Sequence, residues 1–504
     1  MLEKITRRDM IGLSAAAAVT SAASYLAQGV AVADEAAWVP GQAPLAGEVG
    51  EWINLPWNGI GSAAGDWITT PAEVAALGGS TMPIDELNRR RRMYVAAQKD
   101  YVCEDGTVVP AVYNKCRALY NSFSWGVGSI PLDSSFANFM DQVSEDQCQA
   151  LIDLPRYDDF FRAIDLYAEG DRTMEECVEL LDDLASKGYL RRSERPDGVV
   201  YDLSGWFEGI GGYLMNDRSM GDLAYEWPIS GDGMTEDWAN AGTPVFHSLP
   251  CDKSVTATGT IKAFDDIEAI FQDSTTFALT PCSCRYTMLI ADCQEKGEPW
   301  PSFADFAKGE LENLTLPDTD TRVETCICTG DEAEYWIAQG IARPITKEQA
   351  LDMIRRNRED GFIIECTREG RAEYTCACRR GYCNVLAFWE SVNEAGLLQD
   401  SKAWDQVSDY RLEVDFGVCA KCGACANRCP MQAIAMDGTH DGQDGYPQVD
   451  AMCMRCGQCA YVCPMSARKL VERPVEECLQ QMPRNLVEDY SLKAAYRFEH
   501  GMMY

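Results

Sequence analysis

The sequence predicts an α+β chain of several domains: mostly helical N-terminal and central parts, then a small pseudo-twofold unit of short hairpins and helices. Three observations predict this. The chain has 504 residues, more than one core holds, since cores stop growing near ~250–300 residues. Helix caps and helical apolar spacing recur through the first 400 residues, broken by one clear hairpin. Near the C-terminal end a cysteine motif is duplicated. Hydrophobic content of 46% and charged content of 24% are those of a folded chain.

The N-terminal end carries an address. Residues 1–33 place Lys4, Arg7 and Arg8 before an Ala-rich apolar stretch and Ala31-Val32-Ala33, a charged region, a short apolar region and an A-x-A cleavage site. The paired arginines in TRRDMIG resemble the twin-arginine signal, with Met10 and Ile11 where that family commonly has Phe and Leu. The resemblance implies export in the folded state to the periplasm or the outer face of the membrane, cleavage after Ala33, and the twin-arginine translocon as a partner. No later stretch is apolar enough to span a bilayer.

From residue 34 to 150 a helical region is expected, opened by an extended Pro- and Gly-containing leader to residue 60. Met82 to Phe123 reads as helix, and Arg89 to Arg92 within it reads as a solvated face rather than a docking patch. Residues 151–260 hold a helix from Thr173, capped by Thr173 with Glu176, with Cys177, Leu180, Leu181 and Leu184 on one face and Gly188 at its end. YLRR, a Pro196-Asp197-Gly198 turn and VVYDL then read as a hairpin. Helix plus hairpin resembles a winged-helix module. A net charge of −35, from 44 Lys and Arg against 79 Asp and Glu, opposes nucleic-acid binding, so a packing or docking role is expected.

Residues 261–400 form a cysteine-rich segment read as helical, with helices near Asp331 to Gln339 and from Thr346, capped with Gln349, to Gly361. The candidate metal ligands are Cys282, Cys284, Cys293, Cys326, Cys328, Cys376, Cys378 and Cys383. C-x-C pairs present both sulfurs to one side of an extended backbone. Iron–sulfur, zinc and disulfides are the three readings. Cys103, Cys116, Cys148, Cys177, Cys251, Cys366 and Cys478 read as core or incidental cysteines. The stretch with Cys282, Cys284, Arg285, Cys293, Glu324, Thr325, Cys326, Gly340, Arg343, Ile345 and the cysteines at 376, 378 and 383 is similar to a poorly characterised family of bacterial ferredoxin-domain proteins. The last group has fewer adjacent cysteines than that family.

Residues 411–472 carry VCAKCGACANRCPM and MCMRCGQCAYVCPM. Each has C-x2-C-x2-C-x3-C followed by proline: Cys419, Cys422, Cys425, Cys429 and Pro430, then Cys453, Cys456, Cys459, Cys463 and Pro464. Three thiolates in two-residue steps can cap three irons of one cubane, while the fourth points away. Zinc sites use two separated pairs instead. The segment resembles the bacterial two-cluster ferredoxin. The resemblance implies crossed ligation, with Cys419, Cys422, Cys425 and Cys463 on one 4Fe-4S cluster and Cys453, Cys456, Cys459 and Cys429 on the other. GTHDGQDGYPQVD reads as the intervening hairpin, with His440 a solvated turn residue. Residues 473–504 read as a docking helix with a partly ordered end.

There is no C-x-x-C-H, no strand-borne G-x-G-x-x-G and no Walker loop, so haem, flavin, nicotinamide and nucleotide chemistry have no support. His247, His440 and His500 are the only histidines, which leaves no legible triad or H-E-x-x-H. The resulting expectation is an exported electron-transfer protein with two 4Fe-4S clusters and a candidate third iron–sulfur or zinc site, non-catalytic by itself and serving a partner oxidoreductase. The alternatives are a catalytic reductase with a substrate or corrinoid site in the first 400 residues, and an assembly or scaffold subunit with structural clusters.

Overall fold

A computed structural model of the chain describes residues 82, 84–103, 106–123, 143–154, 161–168, 172–195, 198–203, 239, 244–251, 254–255, 266–272, 274–317, 319–367, 372–474, 477 and 486–501. The signal at 1–33, the leader to residue 60, the Pro196-Asp197 part of the hairpin turn and Cys478 lie outside these residues. Among the described residues no helix is long and apolar enough to cross a membrane.

The N-terminal layer contains α1 (Ile84–Ala96), a short ladder of β1 (Tyr101–Val102) and β2 (Val108–Val109), α2 (Ala111–Phe123) and α3 (Glu145–Ile152). The arginine run is not a free basic patch. Arg89 and Arg90 pair with Glu86, Arg91 is fully buried and donates to the Ser122 carbonyl at 3.1 Å, and Arg92 reaches the Leu154 carbonyl. Two short helical segments follow, α4 (Ala163–Ala168) and α5 (Met174–Ser186). The Thr173–Glu176 capping box is formed, and Cys177, Leu181 and Leu184 are buried. Then β3 (Leu190–Arg195) pairs antiparallel with β4 (Gly198–Leu203), and an antiparallel bridge joins Phe161 to Tyr201.

The central segment corrects the helical expectation for residues 261–400. Its core is a six-stranded antiparallel sheet of β5 (Phe246–Leu249), β6 (Phe277–Pro281), β7 (Glu324–Thr329), β8 (Arg343–Ile345), β9 (Ile363–Thr367) and β10 (Tyr374–Cys378), ordered β5-β9-β10-β7-β6-β8. Runs such as FALTP, ETCICT and IIECT are buried on both faces, and a doubly buried strand shows no polar alternation to announce it. Helices connect and cover the strands: α6 (Ile267–Ile270), α7 (Ser283–Lys296), α8 (Phe303–Ala307), α9 (Gly330–Ala338), α10 (Lys347–Asp360), α11 (Asn384–Glu394) and α12 (Lys402–Asp405). The two expected helices are α9 and α10. The latter has its Thr346–Gln349 capping box and ends at Gly361 with φ 92°, the left-handed stop for which glycine is suited.

Register sorts the sheet's faces. Opposed residues of an antiparallel pair share a face. Ile327, Ile364, Cys366 and Ala377 therefore pack on one side with Phe271, Met353 and Ile354, and Cys326, Cys328, Cys376 and Cys378 lie on the other.

The C-terminal unit comprises β11 (Tyr410–Val414), α13 (Ala424–Arg428), β12 (Ile434–His440), β13 (Gln443–Val449), α14 (Gln458–Tyr461) and β14 (Arg468–Glu472). Pairs β11–β14 and β12–β13 are its two hairpin-like ladders. The expected docking helix is α15 (Leu486–His500), which returns to the N-terminal layer: Ala494 and Ala495 pack with Leu87, and Phe498 meets Tyr94 edge-on.

The hairpin is fastened to the sheet unit by charge. Arg191 is buried and binds Asp202 at 2.8 Å, Glu373 at 2.6 Å and Glu332 at 3.2 Å. Burial pushes Asp202 up to about 6 and Glu332 up to about 7; the Arg191 guanidinium opposes the rise and the Glu373 carboxylate adds to it.

Candidate metal centres

In the C-terminal unit the two motifs follow the same local path. Lys421 and Arg455 have φ of 52° and 55°, and Gly423 and Gly457 have φ of 75° and 80°. Left-handed backbone is costly for residues with a Cβ and cheap for glycine. Each glycine starts a short helix, α13 or α14. The Ala433 N–H donates to Cys429 Sγ at 3.4 Å, and the Ala467 N–H to Cys463 Sγ at 3.3 Å, equivalent bonds in the two halves.

Two cavities result. One is lined by Cys419, Cys422, Cys425 and Cys463 with Pro464 and Arg468. The other is lined by Cys429, Cys453, Cys456 and Cys459 with Pro430, Leu412 and Leu470. Each motif thus gives three cysteines to one cavity and its fourth to the other. Four thiols in an otherwise mostly apolar lining fit a 4Fe-4S cluster as a donor set. Burial pushes the Cys459 thiol up to about 12, and the neighbouring Arg468 opposes this, so metal loading must displace protons.

The cavities differ in access. Cys422 is exposed, whereas Cys456 and Cys459 are buried. The second cavity faces the central unit, where the Cys251 N–H donates to the Cys456 carbonyl at 3.0 Å. Arginines of the C-terminal unit cap helix ends of its neighbour: Arg428 donates to the Arg358 and Glu359 carbonyls of α10 at 2.7 Å, and Arg455 to the Trp404 and Asp405 carbonyls of α12 at 2.9 Å. Cations at these C-terminal carbonyls satisfy orphan acceptors and the helix dipole.

The central cysteines form a second donor set. Six free thiols make a closed ring on one face of the sheet. Cys282 hydrogen-bonds with Cys284 and Cys326, Cys284 with Cys383, and Cys376 with Cys378. Cys383 Sγ lies 3.3 Å from Cys378 Sγ, and Cys326 Sγ lies 4.0 Å from Cys376 Sγ. The end of β6 with the start of α7, strands β7 and β10, and the start of α11 each bring part of it. The Asn384 N–H donates to Cys284 Sγ at 3.3 Å. Thiol hydrogen bonds from Cys284 and Cys326, then the Arg285 charge, hold the Cys282 thiol well below its usual range against the effect of burial. Arg285 is itself buried over the Phe362 ring and donates to the Arg322 carbonyl and to Thr325 Oγ1 at 2.7 and 2.9 Å.

Two predicted members stand apart. Cys293 lies in the last turn of α7, beside Asp292 and Glu298 rather than among the thiols. Cys328 follows Cys326 on the same face, next to Tyr374. Of the cysteines read as incidental, Cys116 contacts Cys148, Cys366 lies in the core of the opposite face, and Cys251 sits beside Cys456. Sequence reasoning missed Glu365. It is fully buried, and its carboxylate, Cys378 Sγ and Cys383 Sγ lie within 4.8 Å of one another. A single acid inside the apolar run FIIEC was its signal.

No curated protein and no solved structure matches the chain. Residues 418–467 match the family model described as a 4Fe-4S dicluster domain, so the C-terminal unit, with its paired four-cysteine cavities, is a ferredoxin-like domain that binds 4Fe-4S clusters.

Proposed function

We propose that the chain is an exported iron–sulfur electron-transfer protein. Cys419, Cys422, Cys425 and Cys463 hold one 4Fe-4S cluster, and Cys453, Cys456, Cys459 and Cys429 hold a second. The central thiols hold a third site, iron–sulfur or zinc, and a partner oxidoreductase exchanges single electrons with the chain. A bound 4Fe-4S cluster supplies reversible one-electron storage. The protein's residues supply access, shielding and charge.

The observation that carries this reading is the unequal access of the two cavities. The first opens at Cys422 beside exposed Val418 and Met465, an apolar rim against which a partner can exclude water. The second is shielded by the central unit, and the Arg380 N–H, in the loop between Cys378 and Cys383, donates to the carbonyl of Pro430, next to Cys429, at 3.1 Å. The ring and the second cavity are thus joined by covalent bonds and one hydrogen bond. Export through the twin-arginine pathway rests on TRRDMIG and suits a cofactor loaded before translocation. The order α3, Phe161 bridge, α4, α5, β3 and β4 supports a winged-helix-like docking module.

Iron and sulfide quantification with EPR at stepped potentials tests the proposal. Cys419→Ser and Cys463→Ser are expected to alter the same cluster signal, and Cys429→Ser the other. A corrinoid or flavin absorbance in the purified chain would favour a catalytic reductase, and clusters that cannot be reversibly reduced would favour a scaffold.

A further inference from the structure

Resting on the reading of the thiol ring as a metal site, we infer that this site is a polynuclear centre in which the Glu365 carboxylate is an oxygen ligand alongside the thiolates. Three features of the chain carry the inference. The first is placement. Glu365 on β9 stands directly opposite Cys376 on β10, and opposed residues of an antiparallel pair project to the same face. Its carboxylate shares one small volume with Cys378 Sγ and Cys383 Sγ, all within 4.8 Å.

The second is the absence of any other role for the carboxylate. Both Glu365 oxygens are buried, and among the described residues no N–H or O–H group donates to them; the Cys378 thiol of the ring is the one group that bonds there. The buried guanidinium beside Cys282, that of Arg285, directs Nη1 and Nη2 to the Arg322 and Ala377 carbonyls and to Thr325 Oγ1, not to Glu365. A buried acid served by a single weak thiol donor is poorly compensated for the water it has lost, and a metal ion in the ring compensates it.

The third is number. A tetrahedral ion takes four ligands and a cubane four thiolates. The six ring thiols with one carboxylate exceed either set while remaining continuous. Sulfur separations of 3.3 and 4.0 Å bracket the ~3.8 Å edge expected for thiolates about 2.3 Å from a shared tetrahedral metal. One buried arginine beside seven acidic donors also leaves a charge deficit that more than one divalent ion would fill. Mixed sulfur and oxygen donors suit iron and zinc.

The test uses the full-length chain purified anaerobically after growth with iron or zinc. It compares metal per chain, metal–oxygen and metal–sulfur scattering by X-ray absorption, and the rate of metal loss to a chelator, with the EPR of the dicluster domain as the folding control. Glu365→Gln keeps size and hydrogen-bonding capacity but is a poor ligand. It is expected to lose the metal–oxygen scattering of the central site and to release metal from that site at least about tenfold faster; Glu365→Cys, which supplies a thiolate, should slow that release again. Wild-type metal content and release rate in Glu365→Gln would overturn the inference and leave the carboxylate as an acceptor for the Cys378 thiol. If Cys282→Ser with Cys326→Ser also leaves the metal count unchanged, the ring is not a metal site and both readings fail. If the double cysteine variant loses the metal and Glu365→Gln does not, only the role of Glu365 fails.

Discussion

Arg468 offers the sharpest perturbation of the dicluster domain. Its side chain is buried, lines the first cavity, hydrogen-bonds Cys459 of the second set and acts electrostatically on Cys425 and Cys453. Among the described residues its Nη1 and Nη2 have no other hydrogen-bond partner, so no described carboxylate dilutes the charge. A unit charge roughly 6 Å away through an effective dielectric of about 20 is worth about 3 kcal/mol, which for one electron is on the order of 100 mV. Reduction adds negative charge, so Arg468 favours the reduced state and raises the potential. Arg468→Gln is therefore expected to lower both potentials by roughly 50–100 mV, allowing for solvent entering the vacated space. Potentiometric EPR on the reconstituted full chain reads this directly, with iron and sulfide content as the control for loading. Unchanged potentials in a fully loaded variant would refute the electrostatic account, as would a rise.

Three further outcomes are expected. A Cβ on Gly457 would collide with Ser254 Oγ and lie 2.9 Å from Leu470 Cδ1, whereas one on Gly423 meets open space; Gly457→Ala should lower the melting temperature of the loaded chain well beyond Gly423→Ala, which bears only the ~1–2 kcal/mol backbone cost, and adding Ser254→Gly should recover part of the difference. Arg191→Met strips the counter-ion from Asp202, Glu332 and Glu373 and should loosen the hairpin by about 3–5 kcal/mol, measured by hydrogen exchange of β3 and β4 amides; protection like the wild type would remove the ion cluster from the docking account. Because burial holds Asp202 at about 6 and Glu332 at about 7, above the usual carboxyl range, their contribution is full below about pH 4 and is lost progressively as pH rises to about 6 for Asp202 and about 7 for Glu332; opening free energies of the same amides should fall by up to about 3 kcal/mol between pH ~4 and ~6 for Asp202 alone, and a flat profile contradicts the assignment.

The paired four-cysteine cavities of the C-terminal unit have a local signal in the sequence: the left-handed turns at Gly423 and Gly457 and the helices they start recur with the motif, while the exchange of Cys429 and Cys463 between the two cavities was implied by the resemblance to the two-cluster ferredoxin. Helices with caps at Thr173, Thr346 and Gly361 were legible for the same reason. The central sheet was not. All its strands but the edge strand β8 are buried on both faces or nearly so, so the period-two signal is missing, and their pairing joins residues as distant as His247 and Cys366. Neighbourhood in sequence also misplaced Cys293, since a helix from Ser283 carries it away from Cys282 and Cys284. Glu365 and the ring's closure through Cys383 depend on register between β9 and β10 and on the start of α11, which no spacing rule encodes. Of the arginines in residues 411–472, Arg428 and Arg455 cap helices of the central unit, and Arg455 with Arg468 also bears electrostatically on Cys453.

A redox titration of the intact chain, followed by EPR with iron and sulfide counted on the same sample, tests the electron-transfer role most directly. Two clusters reduced by one electron each, reversibly, with about eight irons and eight sulfides in the dicluster domain and metal beyond that total lost on Cys282→Ser with Cys326→Ser, is the predicted result. A single cluster, or two that accept no electron at any accessible potential, would contradict it.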